Sequence, residues 1–119
     1  METDWQANLA ALRRRIDALD EQLIECLAQR FLVAQEIARL KWQYNMSVVQ
    51  ADRAQDVERR YIEAGKAHQI DPVFMARLYQ LIHEETCRMQ AAWMAQASQA
   101  ERRQSGVRRD DHRHAAGQV

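Results

Sequence analysis

Arg13, Arg30 and Lys41 are the residues of this 119-residue sequence whose types and spacing could do chemistry. They lie in the stretch LRRRIDALDEQLIECLAQRFLVAQEIARLK, where apolar residues recur every three or four positions. Leu12, Ile16, Leu19, Leu23, Cys26/Leu27, Ala34 and Ile37 form one stripe of a long helix. Arg30 and Lys41 fall on that stripe, where an apolar residue is expected. A buried cation is costly unless something negative meets it. Two readings fit. Both side chains snorkel to water, or the helix face lines a pocket for an anion. The eleven residues from Arg30 to Lys41 correspond to a rotation of about 1,100°, so both point nearly the same way, ~16 Å apart along the axis. Two long cations reaching toward each other would hold a small dianion. Arg13 lies ~25 Å from Arg30 and is rotated about 100° away. It joins them only if a second, antiparallel copy of the helix brings its own Arg13 to the first chain's Arg30. The geometry favours a site shared between subunits, although an arginine on an apolar seam also serves to fix partner and register.

The elements that must position these residues are helices. Three glycines and one proline are too few for a turn-rich β fold, and Ala, Leu, Gln, Glu and Arg all favour helix. An all-α protomer of three helices is predicted, in one domain. The first helix runs from about Trp5 or Leu9 to Tyr44. At ~55–60 Å it is too long for a compact monomer of this size, whose radius of gyration would be ~13–14 Å. Dimerisation supplies the missing cover. Asn45 to Ala51 reads as a loop. Asp52 or Ser47 caps a second helix that ends near Gly65 to His68 and has a narrow apolar face of Ala54, Val57, Tyr61 and Ala64. Asp71-Pro72 is a strong start for a third helix. That helix carries Phe74, Leu78, Leu81, Ile82, Met89 and Trp93 inward and frays near Ala97 to Ala100. The helical domain is thus residues 1–100, and 101–119 read as a disordered polar tail.

Composition excludes several function classes. Lys plus Arg equals Asp plus Glu at 17 each, so bulk attraction to nucleic acid has no support. No apolar run reaches the ~20 residues of a membrane span, and the N-terminus lacks a secretory pattern, so a cytoplasmic protein is expected. Cys26 and Cys87 lack metal-site spacing and read as packed free thiols. His112 and His114 sit in the polar tail without a third ligand, and no metal is expected. His83 and Cys87, one turn apart, lack an orienting third group and read as coincidence. Trp5, Trp42 and Trp93 read as packing residues. The RRR and ERRYIE runs read as solvated faces with i,i+4 pairs.

The pattern LxxLRRRIDxLDxxLxxxLxxR from Leu9 to Arg30, followed by Lys41, resembles the AroQ-class chorismate mutases. The likeness extends through GKAHQIDPVFMARLYQLIHEETCRMQ, residues 65–90. The resemblance implies an intertwined, antiparallel, all-helical homodimer with two equivalent sites and no cofactor. It also implies a Claisen rearrangement of chorismate to prephenate, on the shikimate route to Phe and Tyr. By the same likeness, Arg13 of the partner subunit and Arg30 bind the carboxylates. Lys41 contacts a carboxylate and the ether oxygen, Arg53 lies near the substrate, and Gln90 hydrogen-bonds the ether oxygen. Thr86 matches a small hydroxyl residue. The residue types suit that chemistry. Bidentate Arg fits a carboxylate. A unimolecular rearrangement needs conformer binding and charge stabilisation, without a nucleophile, metal or base.

The resemblance weakens on the second helix. Where the family has a Glu that meets the C4 hydroxyl of the ring, this chain has Ala54. Where it often has Asp, this chain has Gln50, which, like a bridging water, could substitute as acceptor. Isochorismate-pyruvate lyases share the fold and carry an apolar residue at the Glu position. A mutase for 4-amino-4-deoxychorismate is a further alternative. From a different class, a non-catalytic helical dimerisation module would also account for the stripe.

Overall fold

The computed structural model describes the backbone of residues 2–117 and the side chains of residues 4–105. It contains three helices: α1 (Glu2–Gln43), α2 (Ala51–Ala67) and α3 (Pro72–Gly117). No strand occurs among the described residues, as the all-α expectation requires. The chain divides into two compact units, residues 1–34 and 35–119.

The first unit is α1 alone. Its stripe of large apolar residues faces solvent: Leu12, Ile16, Leu19 and Leu23 are 52–61% exposed, and Trp5 is 58% exposed. Cys26 is also exposed, which corrects its reading as a packed thiol. It sits on the stripe, and within this unit nothing covers the stripe. Leu27 and Arg30 are half-buried, Ala34 is buried, and Arg13, Arg14 and Arg15 are exposed.

The second unit holds the end of α1, then α2 and α3. Both turns out of a helix are Schellman motifs. Met46 N–H donates to the Lys41 carbonyl at 2.7 Å and Asn45 N–H to the Trp42 carbonyl at 3.3 Å, with Asn45 left-handed at φ 54°. Ile70 N–H donates to the Gly65 carbonyl at 2.9 Å and Gln69 N–H to the Lys66 carbonyl at 3.1 Å, with Gln69 at φ 58°. Each motif satisfies carbonyls that a helix end would otherwise leave without donors.

The start of α3 follows the sequence: Asp71 Oδ2 accepts from Phe74 N–H at 3.0 Å, and Pro72 is the first helical residue. The start of α2 does not. Its N-cap is Gln50, not Asp52 or Ser47, and no side chain caps it. Gln50 turns its amide back to the loop, donating to the Ser47 carbonyl at 3.0 Å and Ser47 Oγ at 3.2 Å.

α2 packs on α3, with Tyr61 against Tyr79 at 5.1 Å between ring centroids and Gly65 against Met75. The buried side of α2 is Ala54, Val57, Glu58, Tyr61, Ile62 and Gly65; Ala64 is exposed. A Cβ on Gly65 would overlap Met75 Cγ, so the helices approach at glycine and the face turns one residue past Ala64. On α3, Tyr79, Ile82 and Gln90 are buried, and Met75, Leu78, Met89 and Trp93 half-buried. Phe74 and Leu81 are 55% and 65% exposed, not inward, because they lie off the line joining Met75, Tyr79 and Ile82. α3 also continues past Ala97–Ala100, where fraying is expected, to Gly117. Residues 99–104 are Gln, Ala, Glu, Arg, Arg and Gln, all good helix formers. The side chains of residues 106–119, His112 and His114 among them, lie outside the described residues.

Surface charge pairs follow i,i+3 spacing: Arg59–Asp56 at 3.6 Å, Lys66–Glu63 at 3.7 Å, and Arg88–Glu85. Exposed pairs of this kind contribute ~0–1 kcal/mol each, so packing and caps hold the second unit together. No helix among the described residues is long and apolar enough to cross a membrane.

Candidate active site

Of the candidate residues, Lys41, Gln50, Arg53, Ala54, Thr86 and Gln90 belong to the second unit, and Arg13 and Arg30 to the first. Within the second unit the organising contact joins Lys41, near the end of α1, to Gln90 on α3. Lys41 Nζ donates to Gln90 Oε1 at 2.9 Å and to the Val48 carbonyl at 2.6 Å. The Val48 contact was not legible in the sequence, because it depends on how the loop returns over the lysine. Gln90 is 3% exposed. An ammonium can only donate, so it fixes the Gln90 amide with its oxygen toward Lys41 and its NH2 group turned away. Two of the three ammonium hydrogens serve these contacts, which leaves one for a ligand.

Burial pushes the Lys41 ammonium below the usual lysine range, and the charge of an ionised Cys87 opposes that shift. Of the two readings, full snorkelling of Lys41 to water is not what is seen: the residue is half-buried and its ammonium is held by protein acceptors. Next to it, Trp42 meets Trp93 edge to face at 6.3 Å and 86°, and donates from Nε1 to Ser98 Oγ at 3.3 Å. These side-chain contacts link the end of α1 to α3.

The α3 side of the site is one helix face, with His83, Thr86, Cys87 and Gln90 at i, i+3, i+4 and i+7. Thr86 Oγ1 donates to the Ile82 carbonyl at 2.8 Å, so toward a ligand its oxygen acts as an acceptor. His83 and Cys87 do meet, with Sγ 3.6 Å from Nε2. Tyr79 Oη lies 3.4 Å from His83 Nδ1, and the two rings stack. Stacking on Tyr79 fixes the plane of the His83 ring.

α2 packs alongside α3. Tyr61 against Tyr79 and Gly65 against Met75 set an antiparallel register, in which four residues back on α2 meet four forward on α3. Carried on at ~1.5 Å per residue, that register puts Val57 opposite His83, Ala54 level with Thr86, and Gln50 level with Gln90. Ala54 is half-buried and Arg53, beside it, exposed. The Gln50 NH2 group faces Ser47, leaving its carbonyl oxygen as the end that can accept. Lys41 and Gln90 thus offer an ammonium and an oriented amide, while Arg53 and Ala54 stand on α2, exposed and half-buried respectively. The set suits a compact anion with few acceptors of its own buried.

The family model for chorismate mutase type II matches residues 12–91. The chain is 41% identical over 88 residues to the bifunctional chorismate mutase/prephenate dehydratase of Escherichia coli K12, covering 74% of this chain and 23% of that protein. It is 33% identical over 87 residues to the 4-amino-4-deoxychorismate mutase of Streptomyces pristinaespiralis, covering 73% and 67%. It is 23% identical over 86 residues to the chorismate mutase of Methanocaldococcus jannaschii, covering 72% and 87%. The chain spans about a quarter of the length of its bifunctional relatives. The matched segment runs from the first helix through Gln90, and the chain belongs to the type II chorismate mutase family.

Proposed function

We propose that this chain is a chorismate mutase, converting chorismate to prephenate in aromatic amino acid biosynthesis, as an intertwined antiparallel homodimer with two equivalent sites. The observation that carries this reading is the Lys41–Gln90 pair, a half-buried ammonium hydrogen-bonded to an amide that is 3% exposed. In the rearrangement the ether C–O bond breaks as a C–C bond forms, and negative charge grows on the ether oxygen. The remaining Lys41 hydrogen and the Gln90 NH2 group are donors for that oxygen. Arg30, Arg53 and Arg13 of the partner subunit hold the two carboxylates, and with them the reactive conformer. Thr86 and Gln50 complete the polar lining around Ala54. No metal or cofactor enters the chemistry. Residues 1–100 make up the mutase domain, with 101–119 a polar appendage.

The dimer is supported by the first unit. A stripe running Trp5, Leu9, Leu12, Ile16, Leu19, Leu23 alternates steps of four and three, the spacing of a helix–helix seam. Its members are 36–61% exposed. Covering the exposed part of each Leu or Ile contributes roughly half of the ~1.5–3 kcal/mol of full burial, and the stripe repeats that gain along its length.

Incubating purified protein with chorismate tests the activity. Loss of chorismate with formation of prephenate is expected, and Lys41→Ala should nearly abolish it while the dimer survives in sedimentation. Release of pyruvate and salicylate from isochorismate, with chorismate untouched, would replace the mutase with a lyase. A dimer inert toward both would leave the helical module.

A further inference from the structure

The face of α3 that carries Gln90 stays covered beyond it. Trp93, Ala97 and Ser98 are half-buried, at i+3, i+7 and i+8 from Gln90. This covered face passes residue 91, where the match to the family model ends. Trp42 meets it there, with its ring edge to face against Trp93 and its indole N–H donating to Ser98 Oγ. No Cα of α1 lies within 8 Å of a Cα of α3 among the described residues. The two helices therefore meet through long side chains, and Lys41 and Trp42 are neighbours in the last turn of α1.

An ammonium on a four-carbon stem has many rotamers. It keeps one place only where the backbone beneath it is held. Helix ends fray, and α1 ends two residues after Lys41. Lys41 grips α3 at Gln90. The Trp42 side chain leaves the helix about 100° around from it. It grips α3 at Trp93 and Ser98, ~4.5 and ~12 Å further along the axis. Separate points of contact fix the rotation of the end of α1 as well as its distance from α3. The reach from Lys41 Nζ to Gln90 Oε1 depends on both.

We infer that Trp42, Trp93 and Ser98 are positioning residues for the reaction: they clamp the end of α1 to α3 and so hold the Lys41 ammonium against Gln90. The working unit thereby extends along α3 to Ser98, past the segment that the family model matches. The inference rests on the mutase reading of the site and adds to it residues that act through Lys41.

Kinetics on chorismate across pH test it in the wild type, Trp93→Ala, Trp93→Phe, Trp42→Phe, Ser98→Ala and the double variant Trp42→Phe/Ser98→Ala. A catalytic group displaced by about 1 Å costs up to ~10²-fold in rate. Trp93→Ala should accordingly lower kcat by about ten- to a hundredfold with a smaller change in KM. Trp93→Phe keeps an aromatic edge and should restore most of that loss. Trp42→Phe and Ser98→Ala break the same hydrogen bond, so the double variant should lose no more than the worse single one. The neighbours of the ammonium are the Val48 carbonyl on the loop and Gln90 and Cys87 on α3, and no variant alters them. Burial lowers the Lys41 pKa, so an ammonium freed into water should titrate at higher pH. The alkaline limb of kcat/KM in Trp93→Ala should move up with it, and NMR titration of Lys41 Nζ reads the same shift without substrate. A fall in kcat with the limb and the Lys41 titration unmoved, beside a lower unfolding midpoint, marks ordinary packing and overturns the inference. An unchanged kcat in Trp93→Ala overturns it too. If Trp93→Ala does not fold, Trp42→Phe and Ser98→Ala decide between the same outcomes. A wild type inert toward chorismate ends the mutase reading, and the Lys41 titration then decides the clamp alone.

Discussion

Lys41 must be charged to bind a carboxylate and to donate to an oxygen that is gaining charge. Its pKa is lowered by burial, so the ammonium is lost at a lower pH than in an ordinary lysine. The sign follows directly. Activity is full where Lys41 is protonated and falls as pH rises through the lowered value, earlier than an exposed lysine would allow. A kcat/KM profile should therefore show an alkaline limb below the usual lysine range. In Lys41→Arg, whose guanidinium keeps its charge, whatever activity remains should lack that limb. Gln90→Leu removes one donor and should lower kcat by about 10²-fold, as loss of an oxyanion donor does. Arg30 and Lys41 stand out in the sequence because a cation on an apolar stripe is anomalous, whereas Gln90 was named only through the family resemblance, and its contact with Lys41 is what the structure adds.

The packing of α2 on α3 turns on Gly65. A Cβ there would overlap Met75 Cγ, and overpacking of this kind costs ~1–3 kcal/mol. Alanine regains ~1 kcal/mol of helix propensity. Gly65→Ala should therefore destabilise by about 1 kcal/mol, seen as a lower urea midpoint at unchanged slope. Shortening Met75 to Ala in the same chain removes the overlap, so the two effects should be non-additive. The Asp71-Pro72 start was plain in the sequence because both residues act locally. The start of α2 was not, since Gln50 is a weak capping residue and its amide serves the loop. The left-handed conformations of Asn45 and Gln69 were equally hidden, because neither is glycine, the usual occupant of such a turn.

At the scale of the molecule, the proposed dimer rests on the exposed stripe of α1. If Arg13 serves the partner's Lys41, each site draws on both chains. Two inactive variants, Arg13→Ala and Lys41→Ala, should then complement when their subunits exchange. Half of the randomly formed dimers are hybrids, and each hybrid holds one intact site. The mixture should regain about a quarter of wild-type activity. Activity that stays at the level of the separate variants would place both residues' roles within one chain. The length of the first helix and the spacing of its stripe were legible, and the exposure of that stripe is what the structure adds. The exposure of Cys26 and the depth to which Ala34 is covered were not, since a periodic pattern does not say which of two adjoining faces meets which neighbour.

The edge-to-face contact of Trp42 and Trp93 has a consequence for measurement. Trp42 adjoins the lysine that would grip a ligand, and its indole is tethered to Ser98. The emission of two coupled indoles is sensitive to small changes in their angle and in nearby charge. Binding of the proposed dianion beside Lys41 should therefore change the tryptophan emission, over a background from the exposed Trp5.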